Sequence, residues 1–203
     1  AAATDSCDAA PVVSYSDLRD GACPEMITRT WTATDVCGNS VSSNQVITVQ
    51  DQTLPVLDAP PADITVDCVA DIPIAFELGW TDNCDGTGSV AGSDVSDGNT
   101  CPETITRTWT YTDACGNSAS VSQIITVDDN AAPVFAAAPA DVTVECAADV
   151  PAMVNLGWTD NCDGAGVVAG VDVSDGLSCP ETITRTWTYT DACGNSASVS
   201  QTI

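Results

Sequence analysis

The 203-residue sequence has no lysine and no histidine, and its four cations are all arginine. Against them stand 29 acids, 24 of them aspartate, for a formal net charge of -25. Such a balance excludes nucleic-acid backbones, and anionic membranes likewise, as natural partners. It leaves divalent cations, basic partners or plain solubility. Without lysine there is no lysine–asparagine isopeptide cross-link, and without histidine a serine triad or metal hydrolase lacks its usual base or ligand. Aromatics make up only 5% of the chain. No apolar run reaches membrane-spanning length, and no signal-peptide pattern is present. Helix signals are nearly absent as well.

What the sequence does have is a repeat. The string CPETITRTWTYTDACGNSASVSQ runs from Cys101 to Gln123, recurs unchanged from Cys179 to Gln201, and returns in diverged form from Cys23 to Gln45. Cys68, Cys84, Cys101 and Cys115 map onto Cys146, Cys162, Cys179 and Cys193 at a constant offset of 78 residues. That period is too long for a solenoid and suits a small autonomous domain. The alignment predicts three modules: residues 1–53 without their opening strands, a complete copy at 54–131, and 132–203 truncated in the last strand. The expected setting is a longer secreted protein with its export signal elsewhere.

Four regularly spaced cysteines per module are read as two disulfides and an oxidising, extracellular compartment. Zinc does not fit, since neighbouring cysteines within a module lie 14 to 17 residues apart with no C-x-x-C pair. A module this small has few large apolar residues, so staples supply stability its core lacks. Each bridge closing a loop of about 30 residues adds roughly 3 to 4 kcal/mol in the chain-entropy model.

The apolar pattern has period two, which marks strands. In Ile105 to Thr112 the residues Ile105, Arg107, Trp109 and Tyr111 share one face and threonines line the other. Asp113 to Asn117 is a turn by composition, and Ser120 to Val127 a second strand, giving a hairpin. Asp63 to Asp67 and Ile74 to Trp80 read as further strands, with turns at Asp82 to Gly88 and Asp94 to Asn99. The fold class predicted is all-β, a tandem array of disulfide-stapled immunoglobulin-like β-sandwich modules.

These strings resemble a known family. T-D-A-C-G-N-S-A before a final strand, preceded by W-T-D-N-C-D and by P-x-D-I/V-T-V-x-C, is similar to hyalin-repeat (HYR)-like immunoglobulin-fold modules. The resemblance covers essentially the whole chain. It implies a segment of a very large bacterial surface protein, such as a gliding-motility adhesin. Hyalin repeats pair a cysteine near the start with one in the last strand, but Ser120 to Val127 contains none, so that pairing does not transfer. Taking the immunoglobulin strand order from the resemblance instead puts Cys68 and Cys101 at the far pole of a module, and Cys84 and Cys115 at its N-terminal pole. Only like-pole cysteines then reach disulfide distance. The pairs expected are Cys68–Cys101, Cys84–Cys115, Cys146–Cys179, Cys162–Cys193 and Cys7–Cys37, with Cys23 left over.

In such an array the linker Asp128, Asp129 and Asn130 faces Asp160, Asn161, Asp163, Asp191 and Asn195 of the following module. The string also resembles the calcium-binding linkers of cadherins. Calcium takes six to eight oxygen ligands, which this junction would supply. Aspartate and asparagine are equally the ordinary residues of turns, and the first linker, Gln50 to Thr53, keeps one acid. Arg29, Arg107 and Arg185 fall on the aromatic face and read as structural arginines, paired with an acid such as Glu77 or Glu103 or stacked on Trp109 or Trp80. Trp80, Trp109, Trp158 and Trp187 read as core residues rather than a sugar platform. No catalytic residue is expected. The function read from all this is a stalk or fibre segment with adhesive character. Glycan- or protein-binding modules acting by avidity and a self-assembling filament are the alternatives. The partners expected are neighbouring repeats, further copies of the chain or surface glycans, and this segment is not expected to enter a membrane.

Overall fold

The computed structural model describes all 203 residues. The first repeat is a three-stranded antiparallel sheet in which β2 (Glu25–Thr34) lies between β1 (Val12–Arg19) and β3 (Ser40–Val49). The middle repeat has seven strands: β4 (Val56–Leu57), β5 (Ile64–Val66), β6 (Glu77–Asp82), β7 (Gly86–Ala91), β8 (Ser93–Ser96), β9 (Glu103–Thr112) and β10 (Ser118–Val127). They form two sheets, ordered β4-β6-β7 and β5-β10-β9-β8. The third repeat has β11 (Val134–Phe135), β12 (Asn155–Asp160), β13 (Gly164–Ala169), β14 (Val171–Ser174), β15 (Ile183–Thr190) and β16 (Ser196–Thr202), ordered β11-β12-β13 and β14-β15-β16. The chain is thus all-β, built of tandem immunoglobulin-like modules joined by disulfides. No helix is long and apolar enough to cross a membrane.

Strand alternation drives the packing. In β9 every second residue turns inward: Ile105 and Trp109 are buried, and Trp109 is fully enclosed. Ile105, Ile125 and Val127 form a core cluster against which Ile64, Val66 and Ile72 pack. The β9–β10 hairpin is closed by an Asx turn, in which Asp113 Oδ1 accepts from the Cys115 and Asn117 amides at 2.9 and 2.7 Å. Gly116 there has φ +88°, a conformation that disfavours any Cβ. On the far side of β10, β5 adds in parallel, with Ile64, Thr65 and Val66 opposite Ile125, Thr126 and Val127. Two side chains fix that register. Gln123 Nε2 donates to Ala62 O at 2.7 Å, and Asp63 Oδ1 accepts from the Ile124 amide at 2.7 Å.

Several elements differ from expectation. Ser93–Ser96 is a strand rather than a turn, because it pairs residue for residue with Ile105–Thr108. Likewise β7 begins at Gly86 inside the expected turn, since β6 offers a partner strand in which Trp80 sits opposite Gly88. A Cβ at Gly88 would lie 2.6 Å from the Trp80 ring, so the indole covers that glycine. The strand expected over Ile74 to Trp80 is shifted to Glu77–Asp82.

The chain divides into two compact units, and neither coincides with a repeat. One consists of Ala1–Ala59, Glu77–Gly92 and Trp109–Val121. The other consists of Pro60–Phe76, Ser93–Thr108 and Ser122–Ile203. Each unit therefore contains one repeat-to-repeat junction in full.

Candidate functional site at the repeat junctions

All three disulfides join different repeats, and none closes within one. Cys23 bonds Cys115, Cys68 bonds Cys162 and Cys101 bonds Cys193, with Cα separations of 4.9, 5.2 and 5.0 Å, ordinary disulfide reach. This corrects every pairing expected from the sequence. Cys68 and Cys101 do not bond each other, and neither do Cys84 and Cys115, Cys162 and Cys193, Cys146 and Cys179, or Cys7 and Cys37. Cys23, expected to be left over, is bonded, while Cys7, Cys37, Cys84, Cys146 and Cys179 are free and exposed. The physical reason is reach. The third and first cysteines of one module meet the fourth and second of the next with Cα atoms 4.9 to 5.2 Å apart, so each finds its partner across the junction.

One rule then covers the chain. The third cysteine of a repeat bonds the fourth of the following repeat across 92 residues, as in Cys23–Cys115 and Cys101–Cys193. The first cysteine bonds the second of the following repeat across 94 residues, as in Cys68–Cys162. The same rule gives the five free cysteines no partner among the 203 residues. Cys84 is hydrogen-bonded to Asn83 Nδ2 at 3.1 Å. Hydrogen bonding to Asp51, burial and the nearby acids push its thiol above the usual range.

Each junction also gathers three aspartates. Asp51, Asp82 and Asp113 bring one carboxylate oxygen each to within 4.8 Å of one another, as do Asp129, Asp160 and Asp191. The local sequence explains the convergence. Asp51, Asp82 and Asp113 each open an Asx turn, holding Oδ1 on backbone amides: Thr53 for Asp51, Cys84 and Asp85 for Asp82, Cys115 and Asn117 for Asp113. Asn83 Nδ2 donates to Asp51 Oδ1 at 3.3 Å, and Asn117 Nδ2 to Asp113 Oδ2 at 2.6 Å and Asp51 O at 3.2 Å. The second oxygens of Asp51 and Asp82 are left over. Asp51 is only 9% exposed, and its Oδ2, with Asp82 Oδ2 and Asp160 Oδ2, is buried without a hydrogen-bond partner. Asp51 is held below the usual carboxylate range, first by the Thr53 amide, against the opposing effect of burial. In Asp191 burial pushes upward, but hydrogen bonds from Asn195, Cys193 and Gly194 outweigh it and the net direction is down.

Of the eight residues expected around a cation, Asp129, Asp160 and Asp191 converge. Asn161 and Asn195 border them through their amide nitrogens, donating to Asp129 Oδ1 at 3.2 Å and to Asp129 O at 2.8 Å. The other three lie elsewhere. Asp163 Oδ2 accepts from Tyr189 Oη at 2.9 Å and from the Ala192 amide at 3.1 Å. Asn130 Nδ2 turns back to Asp128 O and Oδ2 at 3.2 and 3.3 Å. The first-junction triad was missed because one acid in the linker Gln50 to Thr53 looked too few. The 78-residue offset from Asp129, Asp160 and Asp191 was the signal that identifies it.

The arginines are paired with acids other than the glutamates expected. Arg107 Nε and Nη2 bind Asp94 at 2.7 and 2.8 Å, and Nη2 also donates to Pro73 O at 2.9 Å. Arg185 binds Asp172 and the carbonyls of Pro151 and Ala152. Register decides this, since Asp94 and Asp172 stand directly opposite the two arginines. Glu77 and Glu103 instead accept from Ser89 and Ser96. In the first repeat Arg29 binds Asp17 and lies over Tyr15 and Trp31, 4.4 and 5.6 Å from their centroids. Trp109 and Trp187 are fully enclosed. Trp80 and Trp158 are stacked on Tyr111 and Tyr189 at centroid distances of 3.6 Å, which occupies a face that a sugar platform would need free.

Compared with known proteins, the chain matches the family model of the HYR-like domain with 4 cysteines over residues 56–127 and again over 134–203. No curated protein matches it.

Proposed function

The chain belongs to the family of HYR-like domains with four cysteines, and on that footing we propose that it is a structural and adhesive stalk segment of a secreted bacterial surface protein, its repeats coupled covalently one to the next. The reading is non-catalytic. The observation that carries it is the disulfide pattern, which forms a ladder rather than a set of closed loops. From Cys23 a bond leads to Cys115, the backbone from Cys115 back to Cys101 is 14 residues, and a bond leads on from Cys101 to Cys193. Tension applied along the array therefore passes, in each repeat, through the short segment that contains β9. That segment is already an extended strand.

The mechanical consequence is large. A run of 14 residues spans at most about 46 to 50 Å, whereas a whole 78-residue repeat pulled straight spans about 260 to 280 Å. Stalks stapled within each module unravel between the staples under load. A ladder of this kind leaves nearly nothing to unravel, so reach is kept under force. Pulling single chains by their two ends tests this. Without reductant no module-sized extension is expected. With reductant each repeat gives up about 210 to 230 Å more. Module-sized steps in the absence of reductant would overturn the proposal.

A divalent cation of the calcium type at the aspartate triads is a second part of this reading. The nearly buried Asp51 with its unpartnered Oδ2, beside a second such oxygen on Asp82, favours it. Three carboxylates at one point suit a hard cation that prefers oxygen. Asp51, Asp82 and Asp113 would hold it at the first junction, and Asp129, Asp160 and Asp191 at the second. Calcium titrated by calorimetry into the chain and into its Asp51→Asn, Asp129→Asn double variant checks this. Heat that disappears in the variant supports the sites, and equal heat in both removes them.

A further inference from the structure

Beyond a static cation site, we infer that each junction couples its cation to its disulfides. A divalent cation of the calcium type at the aspartate triad favours closure of the inter-repeat bonds, and the closed bonds hold that cation more tightly. The inference rests on the cation reading above and gives that site a redox partner.

The connection is two residues long. Cys115, Cys162 and Cys193, one partner of each disulfide, all stand in the string Thr-Asp-x-Cys, and the aspartate of each string belongs to a triad. That aspartate carries its cysteine directly. Asp113 Oδ1 accepts from the Cys115 amide at 2.9 Å and Asp160 Oδ1 from the Cys162 amide at 2.9 Å, while Asp191 is hydrogen-bonded by the Cys193 amide. At Asp160 the other oxygen, Oδ2, is buried without a partner. The second junction has a further link. Asn161 Nδ2 lies 3.2 Å from Asp129 Oδ1, 3.1 Å from Cys162 Sγ and 3.6 Å from Cys68 Sγ, so one amide touches the triad and both sulfurs of a disulfide.

The first triad shows why a cation belongs in this circuit. Asp51 is 9% exposed, and its Oδ2 and that of Asp82 are buried with no hydrogen-bond partner. Three like charges whose oxygens lie within 4.8 Å repel one another, and the repulsion acts on the turns that bear Cys115, Cys162 and Cys193. A cation among them reverses the sign, drawing the carboxylates together and steadying the turns. A disulfide closes only over a narrow range of Cα separation, within which these bonds lie at 4.9 to 5.2 Å. Steadying one Cα of each pair favours closure, and by linkage closure favours the cation.

Bond formation is ordinary thiol–disulfide exchange. For each pair, one thiolate attacks oxidised glutathione, one glutathione leaves as its thiolate, and the partner thiolate displaces the second. Two thiols and one oxidised glutathione become one protein disulfide and two reduced glutathiones. The cation is neither oxidised nor reduced.

The test equilibrates the full chain in glutathione redox buffers with excess calcium or with chelator, and reads each bond by thiol alkylation and peptide mapping. Calcium is expected to raise the equilibrium constant for Cys23–Cys115 at least about fivefold, the lower end of ordinary coupling between sites. Calorimetry should find calcium held at least about fivefold tighter by the oxidised chain than by the reduced one. Asp51→Asn should strip the calcium effect from Cys23–Cys115 alone, and Asp129→Asn from Cys68–Cys162 and Cys101–Cys193 alone. Both variants leave Asp113, Asp160 and Asp191, and so the cysteine-bearing turns, in place. Bond equilibria that ignore calcium in a chain that binds it would overturn this inference and leave the cation site standing. No calcium heat in the oxidised chain would overturn both. A calcium effect that survives each variant unchanged would put the cation elsewhere and overturn the inference too.

Discussion

The first and middle repeats carry the same hairpin, β2–β3 and β9–β10, in different company. In the middle repeat Arg107 is 3% exposed and Trp109 fully enclosed; in the first, the Arg29 side chain is 27% exposed and Trp31 half-buried. The strand sequences differ little, so the burial comes from elsewhere. Residues 54–92 supply the second sheet and the Pro73 carbonyl of the middle repeat. The first repeat has only its one three-stranded sheet, with Ile27 as its buried apolar residue. Hairpin formation is thus local, through period-two alternation and the Asx turn, whereas the sandwich depends on the module's opening segment.

Breaking this comparison is straightforward, and the largest effect should come from the core tryptophans. Trp109→Ala removes a fully enclosed indole and is expected to cost about 3 to 5 kcal/mol in denaturant unfolding, whereas Trp31→Ala should cost clearly less. Equal losses would mean that the first repeat is covered in solution as fully as the middle one. Next comes the ion pair. Asp94→Ala leaves the buried Arg107 with only a carbonyl partner and should cost about 2 to 3 kcal/mol. Asp17→Ala exposes Arg29 to water already near it, and its midpoint should barely move.

Two titrations sharpen the contrast. Hydrogen bonding to Arg107 holds Asp94 below the usual carboxylate range. The stability from that pair is present above the ordinary aspartate pKa and is lost as pH falls through the lowered one. Asp94→Asn should remove this part of the acid slope, measured as midpoint against pH. At the other end, burial and the Asp85 hydrogen bond push Tyr111 up to about 12. Its contribution is complete below the ordinary tyrosine value of about 10 and is lost as pH rises toward 12. Tyr111→Phe should abolish that alkaline loss, the smallest of the effects. Ala33 takes this position in the first repeat, which therefore has no such loss to abolish.

Much of the fold was legible because it is written locally. Ile105, Arg107 and Trp109 marked the inner face of β9, and Asp113 to Asn117 its turn. The short strands β7 and β8 were not, because their glycine, serine and aspartate content is that of turns, nor was β4, whose two residues are too few to alternate; only the opposing strands make them strands. At the site, the cysteines were legible as disulfide partners in kind but the pairs they form were not. The reason is intrinsic to a repeat. In a sequence of period 78, a contact within a module and the same contact to the next module use the same residue types. Register within the array is invisible to spacing and is decided by which ends meet. Asp51, Asp82 and Asp113 were missed for another reason, the single acid of the linker Gln50 to Thr53, although the 78-residue offset from Asp129, Asp160 and Asp191 marks them.

The most direct test of the ladder is non-reducing peptide mapping of the oxidised chain, cleaved before aspartate. The peptide that begins at Asp97 contains Asn99 and Cys101, and the one that begins at Asp191 contains Cys193 and ends at Ile203, so both are distinct in mass from their repeats. The account predicts these two joined, and the Cys23 peptide joined to the one from Asp113 to Val127. Finding the Asp97 peptide bonded instead to the one from Asp67 to Ala70, which carries Cys68, would close each module on itself and contradict the account.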